Sequence, residues 1–159
     1  MRVELYERVW MWAASVLILF FLGAIVLTSA FQAVQPPSHI ETIDPTKLSE
    51  DPEFGHPGVT VRSDGGVTVS VRAEMFSFTP DPIVVPANRP VTFRLTSGDV
   101  IHGFMVVGTN ANAMVVPGYV SQFTVSFSKC GQYLISCNEY CGVGHHNMVG
   151  KLTVREDAP

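Results

Sequence analysis

The sequence predicts an all-β sandwich or barrel carried behind one apolar N-terminal helix. Two observations predict the β part. Short runs of β-branched and aromatic residues alternate with polar ones from about residue 59 onward, and Gly, Pro, Asn and Asp punctuate them. No segment of helical period and useful length interrupts these runs. A third observation predicts the helix: not one residue from Val9 to Val34 is charged.

That uncharged run holds 26 residues, mostly Trp, Leu, Ile, Phe and Val. As a helix it reaches about 39 Å, beyond the roughly 30 Å hydrocarbon core of a bilayer, so a tilted transmembrane span is expected. Trp10 and Trp12 stand at its leading edge, where amphipathic rings favour the headgroup level, and Pro36-Pro37 closes it. A cleaved signal peptide is the competing reading, with Thr28-Ser29-Ala30 as a mimic of a cleavage site. The apolar region of such a peptide runs only about 7–15 residues, so the anchor reading is preferred. Arg2 and Arg8 precede the span and only Lys47 follows closely. That is a mild bias toward an N-terminus on the inside.

The expected organisation is therefore residues 1–35 as N-terminal segment and transmembrane helix (about 9–34), 36–57 as linker, and 58–159 as the folded domain. Five of the eleven prolines fall between residues 35 and 57, among scattered acids without period. Such a stretch reads as chain lying over the surface; its His39 and His56 are expected to be solvated. Val59–Val61 and Val67–Val71 then alternate around Ser63-Asp64-Gly65-Gly66, a hairpin turn. Further strands are expected at 83–85, 91–95, 104–107, 123–127, 133–136 and 149–154.

Of 159 residues, 47% are hydrophobic and 15% charged, with a net charge of −4. The first eight residues are neutral, so the acidic excess belongs to the segment after residue 35. No basic patch is present to displace counterions, which disfavours a nucleic-acid partner. A mildly acidic surface suits a basic partner protein, and equally suits plain solubility.

Three cysteines argue against a disulfide framework. Cys130 is expected to be a small buried residue facing away from the others. Cys137, Cys141, His145 and Met148 fall within twelve residues, Cys137 to Met148. Two thiolates, an imidazole and a thioether are ligands that favour copper over magnesium, calcium or manganese. One sulfur four residues from the other on the same loop could let both bridge a pair of copper ions. His102, within Asp99-Val100-Ile101-His102, is the candidate for a second imidazole.

This pattern, Cys-x3-Cys-x3-His-x2-Met with an upstream Asp-Val-x-His, resembles the binuclear copper A centre of subunit II of cytochrome c oxidase. The resemblance covers roughly residues 70–154, and the single span is similar to the B-type (ba3-like) form. It implies a cupredoxin-like Greek-key fold, with Cys137 and Cys141 bridging both coppers. His102 and Met148 would complete one copper, and His145 with the Glu139 carbonyl the other. Only His145 keeps the Cys-x3-His spacing, so His146 is expected to be a bystander beside the ligand or at an interface. Met75, Met105 and Met114 fit no part of the motif.

The resemblance further implies a prokaryotic plasma membrane location, with the copper domain on the periplasmic or outer face. Electrons would come from cytochrome c or another small soluble donor and pass to haem in subunit I. There O2 is reduced to water with proton pumping, so catalysis belongs to the complex and this chain alone is an electron carrier. In many relatives a glutamate at the place of Glu139 binds Mg2+ shared with subunit I. Aromatic residues near Phe76 and Phe78 would cover the centre and meet the donor, or else fill the core. Rival readings are the corresponding subunit of a nitric or nitrous oxide reductase, a tethered copper chaperone, and a purely structural sandwich. The chain is too short for the second domain of a nitrous oxide reductase, and a chaperone would favour exposed Met and His ligands.

Overall fold

The computed structural model describes residues 4–32, 41–63 and 65–158, and the chain divides into two compact units, Met1–Ser38 and His39–Pro159. Among the described residues the first unit holds one helix, α1, Leu5–Gln32. Its large apolar side chains are exposed from Leu5 to Leu27, and Leu5–Ala30 has a mean hydropathy of 2.4, long and apolar enough to cross a membrane. It begins four residues before the uncharged run, because Glu7 is favoured in a first turn where the helix dipole is positive. The Ser15 and Thr28 hydroxyls donate to the carbonyls of Met11 and Ala24, so neither asks for a partner outside the helix. The expected closure at Pro36-Pro37 and the solvated His39 lie outside the described residues.

The second unit is all β. Its strands are β1 (Glu41–Thr42), β2 (Val59–Val61), β3 (Val67–Glu74), β4 (Ser77–Thr79), β5 (Ile83–Pro86) and β6 (Pro90–Ser97). β7 (His102–Val106), β8 (Asn112–Val115), β9 (Tyr119–Ser126), β10 (Gly131–Ser136) and β11 (Val149–Arg155) follow. One sheet has the order β1-β9-β6-β3-β2 with β4 also on β3, and the other β5-β11-β10-β7-β8. The β2–β3 hairpin forms as expected, Val59 opposite Val69 and Val61 opposite Val67. β3 runs parallel to β6, and β5 parallel to β11, the crossings that make this sandwich cupredoxin-like rather than a meander.

The core follows from period two. Val67, Val69, Val71 and Ala73 of β3, with Val91, Phe93 and Leu95 of β6, face Phe104, Ile135, Leu152 and Val154 of the opposite sheet. Phe93 and Phe104 join the sheets with centroids 5.5 Å apart, and Phe78 meets Phe104 edge to face at 5.5 Å.

Three expectations change. Residues 41–57 are more than linker: β1 pairs with β9, and Leu48 and Phe54 are buried with Val120. Arg94 of β6 holds this strap, donating to both carboxylate oxygens of Glu53 at 2.8 and 3.0 Å and of Glu41 at 3.0 and 2.8 Å. Those two carboxylates raise the Arg94 pKa above its ordinary value. Cys130 is exposed, not buried; it precedes β10, so strand alternation never applied to it. Phe78 is 3% exposed, a core residue of β4 that cannot meet a partner.

Candidate metal centre

β10 and β11 are paired up to Ser136 and Val149. The loop from Cys137 to Met148 is therefore held at its base, where the Cys137 amide donates to the Met148 carbonyl at 3.2 Å. β7 flanks β10, with Met105 opposite Ser136, so the start of β7 rises alongside this loop and delivers His102 to it. The loop lies against Gly103: a Cβ there would stand 2.8 Å from the backbone nitrogens of both Asn138 and Glu139. Only glycine permits that approach.

Within the loop the Cys137 and Cys141 Sγ atoms are 3.7 Å apart. Cys141 Sγ is 3.6 Å from His145 Nδ1 and 3.6 Å from Met148 Sδ. Cys137 Sγ lies 3.1 Å from the Glu139 carbonyl oxygen, which therefore points inward while the Glu139 residue is exposed. The ligand atoms of His102, Cys137 and Cys141 all lie within 4.8 Å of one another. His102, Cys137, Cys141 and Met148 are buried, and His145 half-buried in a 3₁₀ turn, His145–Asn147.

Two features of this pocket fit a soft cation. His102 Nε2 is 2.8 Å from Asp99 Oδ1, so the carboxylate favours the tautomer with its proton on Nε2. Nδ1 is then a free lone pair, fully buried and without a hydrogen-bond partner among the described residues. A buried acceptor left so is costly unless something binds it. Second, burial and the adjacent Cys137 push the Cys141 thiol up to about 11. Paired thiolates here need a positive charge between them.

Asp99 itself stays ionised. Partial burial opposes this, but His102, the Met75 and Val100 amides and the Ser97 hydroxyl hold its carboxyl below the usual value. The sequence marks Asp99 only as part of the motif; a carboxylate three residues before a candidate histidine ligand is the signal for its role.

Phe76 is 38% exposed and lies on the loop, since a Cβ on Gly144 would come within 2.6 Å of its ring. Tyr140 is exposed, with its ring 5.8 Å from that of His145. His146 is exposed and bonds Asn147, 3.0 Å away. Met75 and Met114 are half-exposed; Met75 Sδ faces the ligand loop, 3.5 Å from where a Cβ on Gly142 would stand, and Met105 Sδ lies 4.0 Å from Asn138 Nδ2. His56 is exposed.

Fold and pocket together define a cupredoxin-type domain whose His102, Cys137 and Cys141 cluster, beside Met148, is compatible with a copper site. Residues 69–154 match the family described as cytochrome C oxidase subunit II, periplasmic domain. The chain is 39% identical to a cytochrome c oxidase subunit 2 of Thermus thermophilus over 155 residues, 95% of this chain and 92% of that one. A second Thermus thermophilus cytochrome c oxidase subunit 2 is 42% identical over 135 residues, 84% of this chain and 100% of that one. A chain of a heme-copper terminal oxidase dimer has a TM-score of 0.73 at 30% identity, covering 94% of this chain and 99% of its own. The periplasmic domain of subunit II of the Bradyrhizobium japonicum cytochrome oxidase shares the fold, with a TM-score of 0.54 at 20% identity over 64% of this chain and 88% of that one. The chain belongs to the cytochrome c oxidase subunit II family, and is thus a component of an oxidoreductase complex with other oxidase subunits as its partners.

Proposed function

We propose that this chain is the electron-accepting subunit of its oxidase. It takes single electrons from a cytochrome c or similar soluble donor and delivers them to haem in subunit I, where O2 reduction is coupled to proton pumping. Its ligands are His102, Cys137, the Glu139 carbonyl, Cys141, His145 and Met148, holding a binuclear copper centre. The carrying observation is the pair of buried sulfurs 3.7 Å apart beside an orphaned, buried His102 Nδ1.

Bound there, a copper pair supplies a one-electron site in which the charge is shared by two ions. The chain's own residues do the rest. Asp99 orients His102, the hairpin base between Cys137 and Met148 fixes the loop, and the sandwich resists relaxation of either ligand set. Low exposure of the sulfurs keeps water out, which lowers the rearrangement that accompanies a change in charge.

The exposed Glu139 carboxylate is open to a Mg2+ shared with subunit I. Helix α1 supports a single-pass anchor in the plasma membrane, with the copper domain on the outer face. Phe76, exposed where Phe78 is buried, is the aromatic candidate for meeting a donor.

The test is metal content and electron paramagnetic resonance on the full chain in detergent. Two coppers per chain and a seven-line spectrum are expected, since one electron then couples to two equivalent spin-3/2 nuclei. One copper with a four-line spectrum would refute the binuclear reading.

A further inference from the structure

The turn between β3 and β4 belongs to neither ligand loop, yet it touches both. Its Met75 amide donates to Asp99 Oδ2 at 2.6 Å, while Asp99 Oδ1 accepts from His102 Nε2 at 2.8 Å. The same Oδ1 accepts from the Val100 amide at 2.6 Å and lies 3.0 Å from Ser97 Oγ. One carboxylate thus ties the turn's backbone to a ligand imidazole. On the other side the Phe76 ring lies on the ligand loop. A Cβ on Gly142 would stand 3.2 and 3.3 Å from ring atoms, and one on Gly144 between 2.6 and 2.8 Å. Ordinary carbon contacts lie at about 3.5–4.0 Å, so the ring occupies the place of the missing side chain.

We propose that the Met75–Phe76 turn is a positioning clamp for the metal ligands, tied to His102 through Asp99 and seated by Phe76 on Gly142 and Gly144. This rests on the copper reading above. Phe76 keeps water from the loop carrying Cys141, and Asp99 transmits the turn's position to His102. A donor pressing on Phe76 therefore presses on both sides of the centre.

The chemistry of the tie makes it testable. A carboxylate accepts at both oxygens, whereas an amide accepts at one end and donates at the other. Asp99→Asn is nearly the same size but can serve only one end, the Met75 amide or His102. Gly144 has φ −88°, open to any residue, so Gly144→Ala displaces the Phe76 ring without straining the backbone.

Hydrogen exchange of the Met75 amide, measured on the full chain in detergent without metal, reads the tie independently of copper. Slow exchange is expected, faster in Asp99→Asn; an unprotected Met75 amide in the unsubstituted chain would overturn the clamp. On the copper-loaded, reduced chain, Asp99→Asn should weaken retention against a Cu(I)-selective chelator by roughly 10- to 100-fold. Phe76→Ala and Gly144→Ala should each speed copper loss about tenfold. The double variant should lose copper no faster than Phe76→Ala alone, because the new methyl fills space the ring has left. Multiplying effects in the double variant, or no effect of Gly144→Ala, would overturn the clamp. A chain that binds no copper refutes the metal reading instead, and leaves the amide measurement to judge the clamp.

Discussion

The sulfurs of Cys137 and Cys141 face each other at 3.7 Å, both almost sealed from water. Two negative charges that close, in a medium of low polarity, repel too strongly to coexist without a cation. Burial, and after it the neighbouring Cys137, push the Cys141 thiol up to about 11. A pair of soft cations held by both sulfurs would resolve that conflict.

On the proposed binuclear reading, replacing either sulfur would break a shared structure, not one ligand bond. Cys137→Ser and Cys141→Ser should each abolish the seven-line spectrum, because a hydroxyl offers no soft bridging donor. Cys130→Ser should leave spectrum and copper content unchanged, since Cys130 is exposed and outside the loop. A seven-line signal surviving either bridging substitution would show that the sulfurs do not bridge.

The remaining ligands should rank by strength. A thioether is a weak copper donor, so Met148→Leu should keep copper while shifting its potential if Met148 holds the metal. His102→Ala removes a buried imidazole, opens a cavity to water and should cost at least roughly 10- to 100-fold in copper affinity. His146→Ala should preserve both band and potential, because that ring is exposed and bonds its neighbour Asn147. Absorption spectroscopy and potentiometry on the three variants decide the order.

Arg94 gives a prediction about stability alone. Its guanidinium joins β6 to Glu41, Glu53 and Gln122, and β1, β6 and β9 belong to the sheet opposite the one whose β10–β11 loop carries the cysteines. Arg94→Met should destabilise the β unit by about 2 kcal/mol, a charge-assisted network discounted for the partly exposed carboxylates. Differential scanning of the copper-free chain should show the transition lowered by about 8 °C. The copper spectrum of the loaded variant should be unaltered.

How much of this was legible beforehand depended on the range of the interaction. The candidate ligands of one loop lie close in sequence, so spacing alone brought Cys137, Cys141, His145 and Met148 together. Strands β3 and β6 showed themselves because their apolar residues, Val67, Val69, Val71 and Ala73 and then Val91, Phe93 and Leu95, alternate along eight-residue runs, and β2 because a turn sequence joins it to β3. β8 did not, since only Val115 of Asn112–Val115 is buried at that sheet edge, and β1 has two residues. Phe76 and Phe78 look equivalent in sequence, but Phe76 sits in the turn before β4 and Phe78 within it. Asp99 was visible, while its bond to Met75 spans 24 residues and needed the sheet to form it.

The last prediction concerns partner and direction together. If α1 is an uncleaved anchor docked on subunit I, the mature chain should retain Met1 or Arg2 and co-purify in detergent with a haem-containing integral membrane protein. In that complex, stopped-flow mixing with reduced cytochrome c should bleach the copper band before haem is reduced, since the exposed β unit receives the electron. The segment after residue 35 carries the whole net charge of −4, so added salt should slow the first phase if that charge steers a basic donor. The surface next to the centre is instead apolar, with Phe76, Tyr140 and Val143 all exposed. Contact there should make the rate fall with Phe76→Ala and respond only weakly to salt. Haem reduction ahead of copper, or a mature N-terminus at Phe31, would overturn the picture of a tethered electron gate.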